Sequence, residues 1–499
     1  MGPTYIGLDC GTSALKGVLV DERERVLAAS TQPYRPALPR PLWSEQDPDV
    51  WASAAFAALG ELAAGDRAAM GRCAGIGLSG QMHGAVLLDS AHRPTRPAML
   101  HNDGRAFVEA RDLAQGYPEL AEVVGVKPMA GFTAPKVAWV RRHEPGVFEQ
   151  TRKVVLPKDY IRLALTGDIL SDVSDGAGTW WLDEAHRRWS TPAFEASQTP
   201  TDLAPPLVEG SEPGGALRDM VADRFGLPRG TIVAGGGGDA AVGAVGLGIV
   251  RPGDAFISLG TSAQLIVASD RYAPAPGRLV HAFAHALPNR WYRMAAMLNG
   301  AGALAFAGRL FSAEPDALER EAAFDYEGPG EVMFLPYLAG ERTPHDDPHA
   351  RGVFFGLSNA TTRVDCVRAV MEGVALTFTD ARECVEEGEA PLGAVGLTGG
   401  GAKSALWTRL IAATLERTII RYRGGDVGPA LGAARLARLA AMGEGPEAVC
   451  KAPAVLDETA PEPALVDRLR PRVARFRSLY EAMAPQFAAA ARHQPFDFG

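Results

Sequence analysis

The sequence predicts an α/β chain built as two duplicated domains with a ligand cleft between them, and two internal echoes predict it. Residues 5–20, YIGLDCGTSALKGVLV, run from an apolar stretch through a Gly-Thr-Ser turn into a second apolar stretch, and residues 255–268, AFISLGTSAQLIVA, repeat that design. Gly11 and Gly260 lie 249 positions apart in a chain of 499 residues. Residues 74–80, AGIGLSG, and 393–399, GAVGLTG, form a second pair in the same order, each a buried strand ending in small residues. The expected division is 1–245 and 246–499, each half opening with a hairpin whose turn meets phosphate.

The remaining elements fit mixed α/β structure. Residues 50–64 and 408–417 are rich in Ala and Leu and predict helices, and residues 429–442 predict another with Pro429 near its start. Residues 33–48 hold five prolines and predict a loop. The small-residue stretch 232–250 sits near the middle and predicts the crossover or hinge between domains.

Hydrophobic residues at 47% and charged residues at 22% suit a globular chain with sizeable cores. The 50 Lys and Arg against 59 Asp and Glu give a net charge of −9, which excludes a broad basic field for nucleic acid or anionic lipid. Cys10, Cys73, Cys366, Cys384 and Cys450 are scattered without metal-ligand spacing, and no stretch has the apolar length of a membrane span. A cytoplasmic protein is expected, and a homodimer is left open.

Four constellations can carry chemistry. In Asp9-Cys10-Gly11-Thr12-Ser13 with Lys16, backbone N–H and hydroxyl groups can approach phosphate oxygens while Asp9 positions a hydrated Mg²⁺; a plain strand turn is the alternative. In Gly235-Gly236-Gly237-Gly238-Asp239 the lost backbone freedom of four glycines must be offset, as close approach of a ligand would do. Asp239 then caps a helix or acts as a base; a linker with a capping Asp is the alternative. The turn Gly399-Gly400-Gly401-Ala402-Lys403 leaves room for a purine and ribose, or is a bare βα connection. Gly80-Gln81-Met82-His83-Gly84 places groups suited to sugar hydroxyls at a strand end, where a structural His is the alternative.

In this order the motifs resemble the actin, hexokinase and heat-shock-chaperone ATPase superfold, whose domains are ribonuclease H-like. Along nearly its whole length the chain resembles the FGGY carbohydrate kinases, through GFTAPKVAWVRRH at 131–143 and GVFFGL at 352–357 followed by Asp365 and Glu372, with Cys366 where an aliphatic residue is usual. PLWSEQDP at 41–48, GQMHG at 80–84, NDGR at 102–105, LPKDY at 156–160, LPYLAGERTPH at 335–345 and GGDVGPALGAA at 424–434 resemble its xylulokinase branch. The resemblance implies transfer of the γ-phosphoryl of MgATP to the 5-hydroxyl of D-xylulose, another ketose or a polyol being the alternative acceptor. It implies Asp239 as general base and Asp9 beside Mg²⁺. Gln81, Met82, His83, Asp103 and Asp239 would contact the sugar. Thr12, Ser13, Gly260 and Thr261 would face the phosphates, Gly400 and Gly401 the adenosine, with Lys16, Gly302 and Lys403 also in the ATP site. His101 and Ala240 depart from the family pattern beside the sugar, where Trp and Asn or Gln are usual.

Overall fold

The computed structural model describes residues 2–424 and 428–493. The opening hairpin pairs β1 (Thr4–Cys10) antiparallel with β2 (Ala14–Asp21), and β3 (Val26–Pro33) extends it. Helix α1 (Pro48–Gly65) covers the region expected at 50–64; Pro48 sits at its start and Asp47 caps it by accepting from the Asp49 N–H. The proline-rich stretch before it is largely irregular, apart from Glu45–Gln46, which pairs with Ala98–Met99. β4 (Cys73–Gly80) returns parallel to β1. After α2 (Pro157–Thr166) and α3 (Val173–Gly176), β5 (Pro213–Ala216), β6 (Ile232–Ala234) and β7 (Gly237–Gly238) finish the first sheet, in the order β5-β6-β4-β1-β2-β3 with β7 on the end of β4.

Helix α4 (Asp239–Leu247) carries the chain to the second sheet, whose strands are β8 (Ala255–Leu259), β9 (Ala263–Ser269), β10 (Val280–Ala284), β11 (Trp291–Met297), β12 (Val395–Thr398), β13 (Ile419–Tyr422) and β14 (Val455–Thr459). Their order is β10-β11-β9-β8-β12-β13-β14. β8 pairs antiparallel with β9 and parallel with β12, as β1 does with β2 and β4, and β13 joins β12 as β6 joins β4. The two echoes in the sequence are thus the same strands of two copies of one actin/hexokinase-like sheet. Such central strands are covered on both faces, which is why they read as nearly unbroken apolar runs.

Three helices of the second half complete the frame: α5 (Arg363–Glu386), α6 (Ala405–Leu415) and α7 (Gly428–Met442). α6 lies a few residues before the expected 408–417 because Ser404 caps it and Glu416 turns left-handed behind it. Residues 425–427 of the GGDVGP segment lie outside the described residues. α7 packs on the first sheet, not the second. A Cβ on Gly7 would stand 1.8 Å from Ala430 O and one on Gly77 1.8 Å from Ala433 O, so only glycine lets this helix lie directly on β1 and β4. α4 and α7 also touch, with Gly432 facing Val242 O. The stretch 232–250 is therefore a packed strand and helix, with all of α4 buried beyond Asp239 and Ala240. Among the described residues no helix is long and apolar enough to cross a membrane, and the five cysteines are buried free thiols.

Candidate active site

Two carboxylates are aimed at one strand end. In the register of the first sheet, Asp9 of β1 and Gly237 of β7 both stand beside Ser79 of β4. Asp9 accepts the Ser79 hydroxyl at 2.8 Å; burial raises its pKa, while Ser79 and Lys16, its partner across the hairpin, pull it back. The turn beyond it is closed by the Gly11 N–H on Ala14 O and braced by Tyr34, whose hydroxyl donates to Gly11 O at 2.6 Å. Thr12 donates to Gln81 Oε1 at 3.3 Å; Ser13 and Lys16 are exposed.

Asp239 opens α4, and its carboxylate accepts from the Ala240 N–H at 2.8 Å. It is open to water on one side and walled by protein on the others. That surrounding mass, then the Asp9 charge, push its pKa up to about 7, poising it to exchange a proton near neutrality. The glycines before it correct an expectation: protein, rather than a ligand, fills the space beside them. Added Cβ atoms would meet Glu209 O at Gly235, Leu78 O at Gly236, Ser174 Oγ at Gly237 and Met82 Cγ at Gly238, all within 2.6 Å.

Met82 packs against Gly238, the residue before Asp239, with the Tyr292 hydroxyl 3.8 Å from its Sδ. His83 has φ of 72°, and its ring stacks on Phe132 at 4.5 Å. Its Nδ1 lies 2.6 Å from Gly178 O; a carbonyl only accepts, so Nδ1 carries the proton and Nε2 of this neutral ring is an acceptor. Burial holds the His83 pKa well below the usual range. Lys136, buried in the GFTAPK segment, donates to His83 O at 2.8 Å and Gly131 O at 2.6 Å; burial lowers its pKa to about 7. Beneath, buried Lys158 of LPKDY pairs with Asp159 and with Asp172 at 2.8 Å, and Asp172 caps α3, the helix leading to Gly178.

Gln81 is a brace, its amide on Gly11 O at 3.4 Å and its oxygen 3.3 Å from His101 Nδ1. Asp103 is buried, with Arg105 and the Ser44 N–H on its two oxygens at 2.6–3.0 Å, so a sugar hydroxyl would have to compete with Arg105 for it.

Across the cleft, Lys16, Asp239, Gly400 and Lys403 line one cavity of about 510 Å³, a size that admits a nucleotide. Gly260 and Thr261 turn from β8 into β9, and the N–H groups of Ala301 and Gly302 bond their carbonyls at 2.7 and 3.2 Å, bringing Gly302 to the same turn. Gly400 has open space where a Cβ would be, whereas Gly401 packs on Leu259. Gly400, Gly401 and Lys403 also line an adjoining cavity of about 340 Å³ with Glu319, Ser404 and Trp407, and Ser404 donates to Glu319 at 2.7 Å. Glu319 lies on the charged helix Pro315–Ala323, and nothing in its local sequence singles it out. Among the described residues no three acidic, His or Cys side chains gather as a metal cage. Two carboxylates beside the Gly11-Thr12-Ser13 turn do fit Mg²⁺, which commonly takes one or two carboxylates together with substrate phosphates.

Residues 4–246 match the model for the N-terminal domain of the FGGY family of carbohydrate kinases, and residues 255–441 match that for its C-terminal domain. A xylulose kinase of Escherichia coli (strain K12) is 43% identical over 97% of this chain and 100% of its own length. One of Klebsiella pneumoniae is 45% identical over 88% of this chain and 90% of its own. A crystal structure of a xyloylose kinase from Brucella ovis superposes with a TM-score of 0.94 at 43% identity, covering 96% of this chain and 99% of that one. With both family domains present in order and its relatives matched nearly end to end, the chain belongs to the FGGY family of carbohydrate kinases.

Proposed function

We propose that the enzyme transfers the γ-phosphoryl of MgATP to the 5-hydroxyl of D-xylulose, giving D-xylulose 5-phosphate and ADP, with Asp239 as general base. The observation that carries this reading is Asp239 itself, a proton acceptor with pKa about 7 on the wall of a cavity that reaches Gly400 and Lys403 of the other half. The names of the relatives support xylulose as the acceptor.

Phosphoryl transfer asks for positioning and charge stabilisation more than covalent help. Asp239 holds the attacking hydroxyl and takes its proton. His83 accepts a second sugar hydroxyl at Nε2, its ring fixed by Phe132 and Gly178 and its backbone by Lys136. Thr12, Ser13 and Lys16 meet the phosphates from one side, and Gly260, Thr261 and Gly302 from the other. Gly400, Gly401 and Lys403 hold the adenosine, and Glu319 borders it. Mg²⁺, when bound, would neutralise phosphate charge beside Asp9 and Asp239.

A coupled ADP-release assay over ketoses, aldoses and polyols tests the assignment. D-Xylulose should give the highest kcat/KM; a higher value for ribulose or a sugar alcohol would reassign the substrate, and ADP release indifferent to every sugar would refute the kinase reading.

A further inference from the structure

Arg342, in the GERTPH segment, is anchored on both sides but not at its tip. Glu341 and Asp347 exchange backbone hydrogen bonds at 2.8 and 2.9 Å, and the Glu341 carboxylate accepts from the N–H groups of Leu298 and Arg342 at 2.6 and 2.8 Å. Thr343 donates to Leu279 O at 2.8 Å and accepts from the Ala296 N–H at 3.2 Å. Between these fixed neighbours Arg342 keeps a face open to water, while protein crowds its guanidinium, which has no hydrogen-bond or ion-pair partner among the described residues. A donor fork carried on a backbone fixed at both neighbours, and itself without a partner, is a binding group in waiting.

Its surroundings say which end of the site it serves. His281 on β10 lies edge-on to Phe132, 6.1 Å between centroids, and Phe132 carries His83 on its face. Gly131, next to Phe132, is packed against His101 O. Lys127 and Asp346 bridge the two halves at 3.1 Å, four residues from Arg342. Burial, then neighbouring cations that include Arg342, hold the pKa of His101 at about 4 and that of His281 at about 3. With Thr343 bound beside His281, at Leu279, and Asp346 bound to Lys127, the guanidinium stands at the histidine end of the site.

The substrate chemistry supplies the match. A 2-pentulose can be phosphorylated at O5 only in its open form, because closing the furanose ring consumes that hydroxyl. The open form exposes a C2 carbonyl, an oxygen that accepts and cannot donate. We infer that Arg342 donates to this carbonyl across the cleft and is the residue that favours a ketose over the corresponding polyol. This rests on the function proposed above. The oxygen of a polyol hydroxyl at C2 also accepts, but it carries a proton for which a guanidinium offers no acceptor, a cost that the carbonyl does not have.

The test compares full-length wild type, Arg342→Met and Arg342→Lys on D-xylulose and on xylitol and D-arabinitol, its C2-reduced forms, as substrates or competitive inhibitors. Loss of a charge-assisted hydrogen bond should raise the KM of Arg342→Met for D-xylulose roughly 10- to 100-fold. The KM for ATP should hold, polyol binding should change by less than about threefold on the same reasoning, and Lys should recover part of the loss. An unchanged xylulose KM, or equal losses for ketose and polyols, overturns the inference while leaving the kinase assignment standing. A wild type inactive on every ketose instead overturns that assignment and the inference with it. Since Arg342 holds no other group in place, both variants should melt with the wild type.

Discussion

Asp239→Asn tests the proposed chemistry with almost no change of shape, removing the proton acceptor and its negative charge together. The amide keeps the side-chain volume and an oxygen to accept the Ala240 N–H, now at 2.8 Å, while it loses the capacity to take a proton near neutrality. Loss of a general base costs about 10²–10⁴-fold in rate, which at 1.36 kcal/mol per decade corresponds to about 3–5 kcal/mol of transition-state stabilisation. The fold should not suffer. The carboxyl pKa is raised in the folded protein, to about 7 from an ordinary value near 4, so folding favours the protonated form and stability falls as pH rises between those values. At pH 8 the neutral amide should therefore melt at the wild-type temperature or above it. Single-turnover ADP formation with saturating sugar, sugar KM from steady-state rates and a thermal melt separate chemistry from binding and from folding. A variant within tenfold of the wild-type single-turnover rate would refute Asp239 as the base, whatever its melting temperature.

Two further outcomes follow from the geometry and charge of the structure. As Asp239 loses its proton, kcat/KM for the sugar at low ATP should climb with pH and level off above about 7, and Asp239→Asn should lack this limb; a wild-type profile flat from pH 5 to 8 would contradict the raised pKa. Gly77→Ala should cost about 3 kcal/mol or more in urea unfolding, since its Cβ would meet the Ala433 carbonyl at 1.8 Å and neither backbone can retreat easily, whereas Gly146→Ala, with nothing within 4 Å, should gain roughly 0.5–1 kcal/mol; equal effects would argue against α7 lying on β4.

The fold was legible where it is local. A buried strand followed by a tight turn and a second strand leaves an apolar pattern interrupted by Gly-Thr-Ser, and both copies carry it at 5–20 and 255–268. The two AGIGLSG-like stretches were equally plain because a strand inside a parallel sheet is covered on both faces. The placement of α7 was not legible. Its residues, PALGAARLARLAAM, announce a helix, but that it leaves the second half to press on Gly7 and Gly77 depends on partners more than 350 positions away. Nor could Glu45–Gln46 be seen inside a run of prolines, because its pairing partner is Ala98–Met99.

The site shows the same limit from the other side. Four glycines in a row did signal that something approaches the backbone closely, but local sequence cannot say what, and the answer is Glu209, Leu78, Ser174 and Met82. Met82 stands where a side chain on Gly238 would be, directly before Asp239, so these glycines let the chain pack closely at the point where the carboxylate begins its helix. Charged residues mislead in the opposite sense. Lys136, Arg342 and Glu319 have no role that their local sequence assigns, yet one is buried under the His83 carbonyl, one keeps a face open without a partner among the described residues and one borders the cavity beside Gly400. What distinguishes them is the partner each has or lacks in space. A buried lysine bound to two carbonyls fixes backbone, while an arginine on an anchored backbone with no partner among the described residues is free to take one from the substrate.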